Sequence, residues 1–306
     1  MNKYRAPEGE LKELARGVYA YIQPAAKFTS NAGLIVGKQE AIVVDSLTNK
    51  YMVEKFISKI KEVTDKPVRF LINTHWHADH TWTNHFFPEA KTIATARCRQ
   101  EIIKLLPSDD VKFFQKIIPE HVMSFEGAKY TLQDIVFENS LSLYQGEREI
   151  RIIDLGPAHT QSDSIVYLPK ERIVFCGDLV LEGLPPQLLH GNTTGTIKAL
   201  GFLSCMDAAL YVVGHGPPSA SKRPIYESRE YVEVVRDEAR KCFDKGMGLE
   251  EAAATIDIGR FKEWGEPQVL YANCARAYSE FRGEPPVSEL PKEILEKIFQ
   301  SPEREQ

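Results

Sequence analysis

The chain has 306 residues, with 38 Lys plus Arg against 43 Asp plus Glu, a formal charge of −5. Apolar residues make up 43 % and charged residues 26 %, a balance that excludes a disordered, collagen-like or disulfide-scaffold protein. The mild acidity argues against nucleic acid held by bulk charge, and no run of about 18 apolar residues is available to span a membrane.

The first strands are expected at residues 17–23, 33–37 and 41–45, the last two joined by a short turn as a hairpin. Residues 51–63 carry Val53, Phe56, Ile57, Ile60 and Val63 at helical spacing. VRFLIN (68–73) reads as a buried strand, followed by a histidine-rich loop, a short helix, a strand at 91–94 and a helix from about Thr95. Residues 107–146 mix an amphipathic helix (111–118) with weakly patterned aromatic segments and read as an insertion over the core, in the position of a lid or an ordinary excursion. Strands return at 149–154, 164–168, 172–176 and 210–213. Residues 226–245 form an amphipathic helix with Val232, Val235, Ala239, Cys242 and Phe243 on one face. The division expected is a catalytic domain over 1–222 and a helical extension over 223–306 packed on it, capping the site or mediating self-association. The five cysteines are scattered, with no CxxC pair, and the N-terminus has no apolar run behind its positive charges. Both features fit reduced thiols in a cytoplasmic protein.

The chemistry is concentrated in THWHADH (74–80), directly after a buried strand. His75, His77, Asp79 and His80 are four candidate metal ligands within six residues. In an extended loop, residues two apart can point the same way, and imidazole with carboxylate suits zinc, iron or manganese. Three more metal-competent residues follow, each near a strand end: His159 in LGPAHTQSDS, Asp178 in VFCGDLV and His215 in YVVGHGPP. Each alone is weak, but the four elements in this order are a strong signal.

This order, HxHxDH followed by His, Asp and His, resembles the metallo-β-lactamase superfamily of metal-dependent hydrolases, and the similarity extends over about residues 14 to 216. The resemblance implies an α+β four-layer αββα sandwich, two mixed sheets face to face with helices outside. It implies two divalent metal ions, zinc first, with iron or manganese as the other choices. His75, His77 and His159 would hold one, Asp79, His80 and His215 the other, and Asp178 both. It further implies a metal-bridging hydroxide acting on a small ester, thioester, lactone or phosphoester, with Asp79 orienting the nucleophile and shuttling its proton. Asp45 matches a frequent acidic position of the family, where it orients a ligand histidine or the Thr74 loop, or only caps its strand. Asp178 argues against a true β-lactamase, because several of those carry Cys or Ser there.

The seven-residue set is also shared by glyoxalase-II-like thioesterases, lactonases, nucleases and phosphodiesterases. A nuclease's RNA-gripping arm and basic surface are not evident. Two other readings stand beside the hydrolase. A persulfide dioxygenase would use one iron on His75, His77 and Asp178 or His159, and a non-catalytic scaffold would only bind metal. Cys176 is expected as a buried core thiol. Lys262, Arg276 and Arg282 are weak candidates for gripping substrate carboxylates, against solvated surface charges. His190, in LLHGNTTG, would border the cleft and could donate to a substrate oxygen. Thr193 and Thr194 could cap a helix at 196–203. His85 and His121 are expected to be structural or on the surface. Phe28, Phe113, Phe114, Phe125 and Tyr130 either line an apolar pocket or dock the insertion. The expected partner is a small-molecule substrate; self-association is open.

Overall fold

The computed structural model describes residues 8–24, 28–108, 110–117, 125–264 and 267–286. The run AIVV is apolar throughout because it is buried on both faces. Ile42 and Val44 point to one side, Ala41 and Val43 to the other. It is β4 (Ala41–Val44) of a seven-stranded sheet with β1 (Glu10–Ala15), β2 (Val18–Ile22), β3 (Ala32–Val36), β5 (Val68–Ile72), β6 (Lys91–Thr95) and β7 (Ile135–Phe137). These lie in sequence order, antiparallel from β1 to β4 and parallel from β4 to β7.

The second sheet has β8 (Ser140–Gln145), β9 (Arg148–Asp154), β10 (Ser164–Leu168), β11 (Ile173–Phe175) and β12 (Leu210–Val212), in the order β12-β11-β10-β9-β8. Only β11 and β12 pair in parallel. Ile42, Val44 and Ile72 from one sheet form a single buried cluster with Ile152, Val166 and Phe175 from the other.

Helices cover both outer faces, and the short α2 (Ala78–Thr81) and α3 (Ala96–Leu105) follow β5 and β6. On one side, α1 (Lys50–Val63) packs Met52, Val53, Phe56 and Ile60 against Leu34 and Val43. Asn49 caps it by accepting from the Met52 N–H, a contact worth about 1 kcal/mol. On the other, α5 (Thr193–Cys205) packs Ala199, Leu200 and Leu203 against Ile165, Val174 and Tyr211. The result is the expected αββα sandwich. No helix among the described residues is long and apolar enough to cross a membrane, and all five cysteines are free, with Cys176 buried.

Several details differ from expectation. Strand β1 precedes the first one foreseen; its charged edge sequence ELKELA hides the alternation. The segment 107–146 is not one insertion, because β7 and β8 at its end belong to the two sheets. Its helix α4 (Asp110–Ile117) docks through Phe113 and Phe114 in a cluster with Phe28, Phe125, Tyr130 and the buried Trp82. Helix α5 starts at Thr193 and is capped by Asn192, not by the threonines. His121 and residues 287–306 lie outside the described residues.

The C-terminal helices α6 (Arg223–Asp244), α7 (Leu249–Thr255) and α8 (Pro267–Phe281) share a core with Leu188 of the loop before α5. Arg276 on α8 is buried rather than solvated and donates to the carbonyls of Glu284 and Pro285. Arg282 pairs with Glu284 and Lys262 with Asp257. Two polar side chains of α8 reach back to the sandwich. Asn273 accepts from Leu188 N (2.9 Å) and donates to Pro186 O (2.7 Å). Glu280 accepts from the Thr193 N–H and hydroxyl (2.5 and 2.7 Å). An Asn273→Leu variant leaves a buried N–H and carbonyl unpaired, and denaturant unfolding is expected to show a loss of about 1–3 kcal/mol.

Candidate metal centre

Each candidate donor lies just past the C-terminal end of a strand: the 75–80 group after β5, His159 after β9, Asp178 after β11 and His215 after β12. Parallel pairing of β11 with β12 delivers Asp178 and His215 side by side. The side chains meet in two groups, His75, His77, His159 and Asp178 in one, and Asp79, His80 and His215 in the other. Within each group the potential ligand atoms lie within 4.8 Å of one another.

Asp178 stands between them. Its Oδ1 is 3.2 Å from His80 Nε2, and its Oδ2 is 3.1 Å from His215 Nε2 and 3.6 Å from His159 Nε2. Asp79 Oδ2 is 3.4 Å from His215 Nε2 and 3.6 Å from His80 Nε2. His77 Nδ1 lies 2.9 Å from His159 Nε2. Buried polar atoms normally find hydrogen-bond partners, yet among the described residues His75 Nε2 makes no hydrogen bond, and His80 Nε2 and Asp178 Oδ1 have only each other within hydrogen-bond reach, at 3.2 Å. Converging buried lone-pair atoms on imidazole and carboxylate fit divalent cations.

The outward faces of these side chains are tied down. Asp45, held at a φ of 60°, accepts from Thr74 N and Oγ1 (2.8 Å each) and faces His80 Nδ1 at 2.9 Å. It therefore orients both the loop and a donor histidine. His159 Nδ1 donates to Gln187 O at 2.6 Å. Asp163 accepts from the Ala158 and Thr160 N–H groups and shapes the His159 turn. Asn31 donates to the carbonyls of Val213 and Gly216 on either side of His215. Neither Asp163 nor Asn31 was foreseen, and only the Asp in HTQSD offered a local turn signal.

The charges are strongly coupled. Burial and neighbouring histidines hold His75 and His77 well below the usual imidazole range. Burial also opposes charge on His80 and His215, but the carboxylates around them, Asp178 above all, outweigh it and raise both. Burial would raise Asp178, and His215 and His80 override it, holding the carboxyl well below its ordinary value.

His190 is brought to the cluster, but by a contact with another histidine: its Nδ1 lies 2.9 Å from His77 Nε2. Burial lowers its pKa to about 3, so it is a neutral ring. His85 sits in a short 3₁₀ turn against Phe86, outside both groups.

An αββα sandwich with a two-part His/Asp cluster at the ends of its strands defines a class of metal-site proteins. The model described as the metallo-beta-lactamase superfamily matches residues 26–215, and the chain belongs to that superfamily. A metallo-beta-lactamase type 2 of Elizabethkingia meningoseptica is 25 % identical over 183 residues, 58 % of this chain and 64 % of that one. The 2,4-dinitroanisole O-demethylase subunit alpha of Nocardioides sp. (strain JS1661) is 28 % identical over 156 residues, 49 % of this chain and 41 % of that one. The chain thus spans less than two thirds of the length of these relatives. The solved structure of the sec-alkylsulfatase Pisa1 from Pseudomonas sp. superposes with a TM-score of 0.72 at 15 % identity, over 90 % of this chain and 50 % of that one. At that identity the likeness is one of fold.

Close packing around Asp178 is itself testable. Gly177 has a φ of 52°, and a Cβ on Gly214 would fall 1.9 Å from Asp178 Oδ1. Gly214→Ala must displace the carboxylate, and denaturant unfolding is expected to show destabilisation of about 1–3 kcal/mol.

Proposed function

We propose that the chain is a binuclear metal-dependent hydrolase acting on a small ester, thioester, lactone or phosphoester. The observation that carries this reading is the position of Asp178, with one oxygen toward His80 and the other toward His215 and His159. His75, His77 and His159 would hold one cation, zinc first, Asp79, His80 and His215 a second, and Asp178 would reach both. Two such cations supply a water of lowered pKa and polarise the scissile bond.

The chain's own residues supply the rest. Asp79 is half-buried, and its Oδ2 lies within 3.4 Å of His215. It orients the attacking water and takes its proton. Asp45 fixes His80 and the Thr74 loop, so the donor atoms need not rearrange when substrate binds. The sulfatase and O-demethylase names among the similar proteins add alkyl sulfates and aryl methyl ethers to the substrate panel. The β-lactamase name adds a β-lactam, which Asp178 disfavours.

Elemental analysis of protein purified without added metal is expected to find about two ions per chain. Hydrolysis should fall with chelation and return with zinc, and Asp178→Ala should abolish it. Full activity in metal-stripped protein overturns the hydrolase reading. About one iron per chain with oxygen uptake on a persulfide replaces it with the dioxygenase.

The charge pattern adds a pH dependence. Metal can bind only to a deprotonated imidazole. His80 and His215 have raised pKa values, so protons compete with metal there more strongly as pH falls. His75 and His77 are shifted the other way and stay neutral. Dialysis from about pH 8 to about pH 5.5 is expected to lower the metal content from about two ions to about one, with the His75 group retaining its ion.

A further inference from the structure

The two ring nitrogens of His77 face different ways. Nδ1 points toward His159 Nε2 at 2.9 Å, inside the first group of donors. Nε2 points away, to His190 Nδ1 at 2.9 Å. A neutral imidazole has one lone pair and one N–H. If Nδ1 offers its lone pair to a cation, the proton must sit on Nε2 and needs an acceptor. The atom in reach is His190 Nδ1, which leaves the proton of His190 on its own Nε2.

His190 is held for this contact by its surroundings. Trp76, buried, meets both rings edge to face, with centroids 4.6 Å from His77 and 4.7 Å from His190. The Trp76 indole N–H donates to Gln161 Oε1 at 3.1 Å. The loop carrying His190 lies flush on the His159 turn: Asn192 N donates to Ala158 O at 2.7 Å, and a Cβ on Gly191 would fall 2.0 Å from that oxygen. The same loop offers Gln187 O to His159 Nδ1.

We propose that His190 is a positioning residue: it accepts the Nε2–H of His77 and so fixes Nδ1 of that ring toward the first metal group. This rests on the metal-site reading above and assigns His190 a role other than touching substrate. Groups that hold the second nitrogen of a ligating histidine typically change metal affinity about 10–100-fold when removed.

The test uses the full chain with cobalt(II) as probe, in wild type, His190→Leu and His190→Asn. Leu removes the acceptor, whereas the Asn side-chain oxygen can stand in for Nδ1. The expected result is an affinity of the first site about 10–100-fold weaker in His190→Leu, with an altered visible cobalt spectrum. Affinity and spectrum should return in His190→Asn. Wild-type affinity and spectrum in His190→Leu overturn the proposal, as does an Asn variant as impaired as Leu. Should His190→Leu not fold, the ¹⁵N–¹H spectrum of the loaded wild type decides. A proton on His77 Nε2 supports the proposal, and one on Nδ1 overturns it. Failure of wild type to bind cobalt overturns the metal-site reading itself, and that outcome is distinguishable because it appears before any variant is compared.

Discussion

Asp178 is a buried carboxylate whose two oxygens face different histidines, and the site is organised around keeping it there. Removing such a charge from water costs several kcal/mol unless partners compensate it. His80 and His215 do so, and the exchange is mutual: the carboxylate raises both imidazoles while they lower the carboxyl. The backbone serves the same end. The bare Cα of Gly214 leaves room for the carboxylate that a side chain would fill, and Gly177, at a φ of 52°, lets the turn before Asp178 pack on Thr74, whose Oγ1 a Cβ would approach to 2.8 Å. The parallel β11–β12 pair sets Asp178 and His215 at one edge, where antiparallel strands would have separated them.

Around this centre three of the four donor loops are held by a buried polar group that is not itself a donor. Asp45 ties down Thr74 and His80, Asp163 the His159 turn, and Asn31 the His215 loop. Such supporting contacts hold the donor atoms in one geometry before any ligand binds.

The legible parts of the chain were those written in local pattern. THWHADH, His159, Asp178 and His215 announce themselves by residue type, and the apolar runs of β4, β5 and β10 by composition. What stayed hidden depends on distant partners or on backbone atoms. Strand β1 carries three charged residues in six on an exposed edge, so its period is masked. Strands β7 and β8 border a weakly patterned segment and are recognisable only by what they pair with. Gln187 acts through its carbonyl, which no side-chain pattern can reveal. Arg276 is turned inward onto its own chain, a placement set by the packing of α8 rather than by its charge. His190 was readable as a residue of the cleft, but its partner, 113 positions away, was not.

The C-terminal helices belong to the same physical argument. They have their own apolar core, yet Leu188 of the sandwich is part of it. Asn273 and Glu280 satisfy backbone groups at Pro186, Leu188 and Thr193, on either side of His190. In the absence of α8 those groups would lose their partners and the loop would have no reason to keep one conformation. The same loop supplies the carbonyl facing His159 and the ring facing His77. The helices therefore reach the candidate donor residues through one intermediary, a loop whose geometry they complete. That gives these helices a physical role at the site without a single side chain in it.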